Sequence, residues 1–254
     1  QSKANAQETE QALQAYAMQL IELSCHLDKK ADVAIIDDDV YQTFEDAFRG
    51  STEDIQQRLN VYTDLVTTVF AEPAHSLAID VGCGRGEWLA LLKQMDIHTI
   101  GIDINSAMIN HCQSQGFEVI SVDAVDYLRQ QSDNAMSLVT GFHIIEHIAF
   151  ERLLMLFKEA YRVVKPGGLV IFETPNPTNL LVGAGDFYLD PTHRQPLHPL
   201  TMQFFLTNAG FESVEINYVD ANGLLSHADA NFDCLNDYVN IPRDYAVIGK
   251  KACG

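Results

Sequence analysis

The chemistry of this chain is densest in Asp80-Val81-Gly82-Cys83-Gly84-Arg85-Gly86 and in Asp103, twenty-one residues beyond Gly82. Three glycines at alternate positions behind an apolar strand let the backbone turn sharply and approach a ligand closely. A helix opening at Gly86 or Glu87 aims its free N–H groups at the same place. Asp103 closes a second strand, where a carboxylate can accept both hydroxyls of a ribose. The order of strand, loop, helix, strand and terminal acid predicts a nucleoside-binding site. The third glycine falls one residue too early for the G-x-G-x-x-G loop of dinucleotide proteins, which points away from NAD.

Two more groups carry ionisable side chains. His143-Ile144-Ile145-Glu146-His147 matches H-x-x-E-H, a zinc-protease pattern. That chemistry requires one helix face to present both histidines, whereas these residues leave a strand end for a loop. No third ligand stands out, so no metal is expected. The second group is the segment from Asp186 to Pro199, which combines Phe187, Tyr188, Asp190, His193 and His198 more densely than an ordinary connector. Its alternative reading is a proline-rigid lid whose His and Asp bond each other.

The elements that must position these groups follow from periodicity. After Pro73, short apolar runs alternate with amphipathic helices, the signature of a parallel sheet covered on both faces. Strands are predicted over 76–81, 98–103, 118–122, 137–141, 168–173, 213–219 and 245–250. The clearest helix runs from Phe150 to Val164 and stops at Lys165-Pro166-Gly167-Gly168. The fold class is thus α/β: a Rossmann-like, seven-stranded, mostly parallel sheet with an N-terminal helical extension. Three segments are expected: 1–38, 39–72 and 73–254. The first holds an amphipathic helix over 8–27, with Leu13, Tyr16, Leu20, Leu23 and Leu27 at seam spacing. It either packs on its own domain or forms a coiled-coil end joining two copies of the chain. An acidic linker over 28–39 follows, then a helix over 52–70 opened by the capping box Ser51-Thr52-Glu53-Asp54.

With an acidic residue opening it at Asp80, the glycine loop resembles motif I of the class I S-adenosylmethionine (SAM) methyltransferases. Ser121-Val122-Asp123-Ala124 and Gly141-Phe142-His143, each at a strand end, extend the resemblance, as does the final strand pair, antiparallel in that family. SAM is the cofactor that the resemblance implies. Asp80, Gly82, Gly84 and Gly86 would form its loop, and Asp103 with Ile104 would meet the ribose side. Asp123 and the Ala124 backbone would take the adenine, while Gly141 and Phe142 would lie near the methionine moiety. For Asp123, a helix N-cap is an equally compatible reading.

Residues 40–50, followed by Gln56-Gln57-Arg58-Leu59, and the segment 186–199 narrow the match: they resemble bacterial O-antigen chain-terminating methyltransferases. The resemblance implies that Tyr41 and Arg58 close over SAM, with the guanidinium gripping its carboxylate. It also implies O-methylation of the non-reducing end of a growing polysaccharide, and so a glycan acceptor and a glycosyltransferase complex as partners. Alternatives are a small-molecule or lipid O-methyltransferase and a silent SAM-binding module. The Glu146–His147 pair would line the pocket mouth. A sugar hydroxyl is a feeble nucleophile, so His193 or His147 is the candidate base, with Asp190 orienting an imidazole.

Composition sets outer limits. The chain has 254 residues, 47% of them hydrophobic, enough for one α/β domain with an appendage. Its 35 acidic and 16 basic residues give a net charge of −19, which repels a phosphate backbone and argues against nucleic acid. Five scattered cysteines without a C-x-x-C pair suit a reducing cytoplasm. No run approaches the roughly 18 apolar residues of a membrane span. A start at Gln1, without Met and directly in helical sequence, reads as a piece of a longer polypeptide.

Overall fold

The computed structural model describes residues 37–72, 76–219 and 238–253. The chain divides into two compact units, 1–44 and 45–254. In the first, the rings of Tyr41 and Phe44 stack at 6.1 Å. The seam helix expected over 8–27 lies outside the described residues, as does most of the linker; its last two residues, Asp38 and Asp39, already belong to the helix Asp38–Phe48.

The second unit is built on a seven-stranded sheet, as the sequence predicts: β1 (Ala78–Val81), β2 (Thr99–Asp103), β3 (Val119–Ser121), β4 (Met136–Phe142), β5 (Val164–Pro175), β6 (Ser213–Val219) and β7 (Asp244–Lys250). Their order is β3-β2-β1-β4-β5-β7-β6, with β7 antiparallel to both neighbours and the five strands from β3 to β5 parallel. The chain winds outward from β1 to β3 and then crosses back to β4 on the other side of β1. A crevice therefore opens beyond the carboxyl ends of β1 and β4, where open α/β sheets bind ligands.

Two boundaries differ from expectation for local reasons. The helix Phe150–Val163 stops as predicted, but pairing resumes at once, Met136 with Val164 and then Leu138 with Leu169. The register shift absorbs Lys165–Gly168 inside β5 instead of before it. The single helix expected over 52–70 is broken into Thr52–Leu59, a 3₁₀ turn at Asn60–Tyr62, and Thr63–Phe70. Here the Thr63 hydroxyl donates to the Asn60 carbonyl at 2.8 Å, a local bond that competes with the helical ladder. The Ser51 cap forms as expected, accepting from the Asp54 N–H.

Strand side chains alternate between two apolar layers. Ile79, Val81, Val139, Val170, Phe172 and Val247 face the helix Phe150–Val163. Ala78, Leu138, Leu169, Ile171 and Ile248 face Ile55, Leu59, Tyr62, Val66 and Val69 of the 52–70 segment. The helices expected as a cofactor lid are therefore also the cover of one sheet face, and their burial is part of the core.

Candidate active site

The glycine loop follows β1 with the geometry its residue types require. Gly82 and Gly86 have φ of 67° and 85°, in the left-handed region. A Cβ on Gly82 would stand 2.5 Å from Ile144 Cγ1, and one on Gly86 3.0 Å from Cys112 Sγ. Behind Gly86 the helix Glu87–Gln94 starts without a side-chain cap, leaving its first N–H groups for another acceptor. Asp103, at the end of β2, accepts the Gly84 N–H on Oδ2 at 3.0 Å and the Asn105 N–H on Oδ1 at 2.8 Å. The Ile104 N–H also bonds this carboxylate, and the three bonds together leave it a lone pair for a further donor. Burial holds its pKa above the usual aspartate range in spite of those N–H bonds. Ile104 beside it is exposed.

Other expected cofactor residues have additional or different roles. Asp80 is buried, and its Oδ1 accepts the Thr140 hydroxyl at 2.7 Å, bracing β1 against β4. Its side chain supports the loop from within. Asp123 is the N-cap of the helix Ala124–Arg129, accepting from the Asp126 N–H, and is also bound by the Arg152 guanidinium. Gly141 is packed so closely that a Cβ would lie 2.8 Å from Ile144 Cγ2. The Phe142 ring turns away from the crevice into the apolar layer, 5.5 Å from Tyr62 and 5.1 Å from Trp88. Only its backbone carbonyl remains for polar contact, and Arg49 Nη2 donates to it at 3.3 Å.

Arg49 is the guanidinium that reaches the loop. A Cβ on Gly84 would be 3.6 Å from its Nη1, and its charge acts on Asp80, Asp103 and His147 alike. Glu45 steadies it through a 3.0 Å ion pair. Arg58, expected in this place, is exposed and donates to the Arg49 carbonyl at 3.2 Å, supporting Arg49 from behind. Arg85 ties the loop to residues 46–50 through Asp46 at 2.9 Å and the Gly50 carbonyl at 3.1 Å, and is itself held by Glu87, the first residue of the next helix, at 2.8 Å. Sequence reading missed Arg49 although it stands in the quoted 40–50 segment, because spacing does not reveal which arginine is oriented. Tyr41 belongs to the first unit.

Beyond β4 and β5 lies a cluster of carboxylates and imidazoles. His143 and His147 do not share a helix face: the chain passes from the end of β4 into a 3₁₀ turn at Ile145–His147. His143, with φ of 53°, is held in a strained backbone conformation of a kind that concentrates at functional sites. Its Nδ1 is 3.4 Å from Glu146 Oε1 and its Nε2 3.3 Å from Glu173 Oε1. Burial alone would depress its pKa, but Asp244, Glu146 and Glu173 together push it up to about 10, so it sits there as an imidazolium. Burial likewise opposes ionisation of Glu146, yet His143 and the other imidazoles bring its pKa down to about 2. Tyr62 hydrogen-bonds Glu173 and completes this buried network.

His147 and His193 form the other half, their ring centroids 4.7 Å apart. Burial keeps the His147 pKa below the ordinary imidazole value. Asp190 reaches His147 through Thr192, whose hydroxyl is 2.7 Å from Asp190 Oδ1 and 2.8 Å from His147 Nδ1. His193 is fixed instead by the Phe187 carbonyl, 2.6 Å from Nδ1. The residue types expected to meet a second substrate thus converge, with Thr192 and Phe187 as orienting partners that no sequence pattern announced. The fold also supplies what the sequence did not disclose, a third ligand-type side chain beside Glu146 and His147.

A profile of the methyltransferase domain matches residues 54–216. A SAM-dependent methyltransferase from Archaeoglobus fulgidus, known from its crystal structure, is 36% identical with a TM-score of 0.73; the match covers 83% of this chain and 99% of that one. The tRNA (carboxymethyluridine(34)-5-O)-methyltransferase of Arabidopsis thaliana is 36% identical over 102 residues, 39% of this chain and 24% of that protein. The ubiquinone biosynthesis O-methyltransferase of Maricaulis maris is 30% identical over 106 residues, 40% of this chain and 41% of that protein. The chain spans less than half the length of both of these curated relatives.

Proposed function

We propose, because the chain belongs to the family of SAM-dependent methyltransferase domains, that it transfers the SAM methyl group to a hydroxyl oxygen, and that this hydroxyl caps the non-reducing end of a growing glycan. The observation that carries the O-transfer reading is the convergence of Glu146, His147 and His193 beyond β4, next to the cofactor loop. SAM brings a leaving group that departs readily, so the protein has mainly to align the acceptor oxygen behind the methyl carbon. Arg49, Asp103 and the Gly82–Gly86 loop would hold the cofactor. A hydroxyl must also lose its proton, and an imidazole kept neutral at physiological pH, as His147 is, suits that task.

The glycan reading rests on the likeness of residues 40–58 and 186–199 to chain-terminating enzymes. It is supported by the exposed Tyr188 ring on the loop beyond β5, an aromatic face of the kind that sugars stack on. A net charge of −19 weighs against a polyanionic acceptor such as tRNA, although several relatives, the Arabidopsis thaliana enzyme among them, are named for tRNA. The second reading, a small-molecule O-methyltransferase, draws on the likeness to the ubiquinone enzyme. Incubation with isotope-labelled SAM and, in parallel, an O-antigen glycan and a catechol-type quinol separates the two by mass spectrometry. Label on the terminal sugar of the glycan alone is the expected result. Label on the quinol alone overturns the glycan reading and leaves O-transfer standing.

A further inference from the structure

Three ligand-type atoms meet at the mouth of the crevice. Glu146 is fully buried; its Oε2 accepts the Thr174 hydroxyl at 2.9 Å, while its Oε1 makes no well-formed hydrogen bond and has only His143 Nδ1 facing it at 3.4 Å, which leaves a lone pair for a further partner. His193 Nδ1 faces the Phe187 carbonyl, which can only accept, so the ring proton is on Nδ1 and the lone pair on Nε2. That Nε2 is 3.9 Å from Glu146 Oε1 and 4.0 Å from Asp190 Oδ2. The single Thr192 hydroxyl proton goes to Asp190 Oδ1, so His147 Nδ1 donates to Thr192 Oγ1 and the His147 lone pair is on Nε2 as well. Imidazoles whose Nδ1–H is held by a carbonyl or a carboxylate relay have the support found around metal-bound histidines.

From this arrangement we infer that Glu146, His147 and His193 form a binding site for a divalent first-row transition cation. One ligand atom from each lies within 4.8 Å of the others. Two imidazole nitrogens and one carboxylate oxygen make the donor set of open zinc sites. Ligand atoms around tetrahedral zinc stand about 3.3 Å apart, so side-chain rotations must draw together atoms that now stand 3.9 Å apart for His193 and Glu146 and within 4.8 Å for all three. The second ligand-type group, His143, Glu173 and Asp244, is a different case, because both nitrogens of its imidazole already face carboxylates, Nδ1 that of Glu146 and Nε2 that of Glu173.

The role of the cation rests on the acceptor reading above; its binding does not. Where the cation is bound, His147 is a ligand, and solvent water instead of this imidazole takes the proton of an acceptor hydroxyl that would occupy the open coordination position. The oxygen lone pair then forms the bond to the SAM methyl carbon while the electrons of the C–S bond stay on sulfur.

The test is calorimetric titration of the full chain, stripped with a chelator, with ZnCl₂ in the presence and absence of SAM. One equivalent is expected to bind in the micromolar range or tighter. His193→Ala should abolish that binding, and Thr192→Val, which breaks only the relay to His147, should weaken it by about 10- to 100-fold. Unchanged SAM affinity and circular dichroism in both variants would show that they are folded. Absence of stoichiometric binding by Zn²⁺, Mn²⁺ and Ni²⁺, or equal affinity in wild type and both variants, overturns the site. Zinc binding that is lost in the variants, in a protein that methylates no hydroxyl, supports the site while removing the acceptor reading; methyl transfer by a protein that binds no cation does the reverse.

Discussion

Arg49 carries the sharpest test of the cofactor side of the site. Its guanidinium donates to the Phe142 carbonyl and approaches Gly84, whereas Arg58 ends on the Arg49 carbonyl. If Arg49 grips the SAM carboxylate, Arg49→Ala removes charge-assisted bonds worth about 1.5–3 kcal/mol, a loss of roughly 10- to 100-fold in affinity. Arg58→Ala should cost only about threefold or less, since an exposed side chain bonded to a carbonyl is worth little. Calorimetry on both variants decides between them, and a larger loss in Arg58→Ala would restore the assignment that the family resemblance implies. At this scale the loop glycines and Asp103 were legible, because backbone conformation and strand-end position leave marks in residue type. The turn of the Phe142 ring was not, because a residue at the end of a buried strand has two faces to choose from and the sequence does not say which is apolar.

At the scale of elements, all seven strands follow from apolar runs and breakers and the direction of β7 from the family resemblance, while the errors fall where local bonds compete with them. Lys165-Pro166-Gly167-Gly168 reads as a full stop, yet β5 starts at Val164 because the edge of β4 is already available for pairing. The 52–70 helices were legible as helices but not as core, because their role depends on which sheet face they cover. Ile55, Leu59, Tyr62, Val66 and Val69 are all buried there. At roughly 1.5–3 kcal/mol for each buried side chain, the five contribute about 7–15 kcal/mol, as much as a whole domain's net stability. A chain beginning at Ala71 should therefore show no cooperative thermal transition by circular dichroism. A transition near that of the full-length protein would reduce these helices to a dispensable lid.

For the molecule as a whole, stability should carry the signature of Asp80. Burial pushes its pKa from 3.8 up to about 7, against the pull of the Thr140 hydroxyl and Arg49. Across that window the folded state keeps a proton that the unfolded chain has released, so its contribution to stability falls as pH rises from about 4 to about 7 and is flat above. Asp80→Asn keeps the shape and the Thr140 bond but cannot titrate. Its stability relative to wild type, from denaturant unfolding without SAM, should improve steadily over that range; parallel curves would mean that Asp80 ionises normally. Net charge and family likeness also act at this scale, and they limit the acceptor without identifying it, since the sequence records the cofactor's demands more fully than those of the second substrate. The central claim is that the Glu146–His147–His193 cluster handles the acceptor hydroxyl and not the cofactor. Its most direct test is single-turnover methyl transfer from labelled SAM by His147→Ala and His193→Ala, with SAM affinity measured alongside. A rate loss of about 10²- to 10⁴-fold is expected in at least one variant, with SAM binding nearly unchanged; near-normal turnover in both would remove the cluster from the acceptor chemistry.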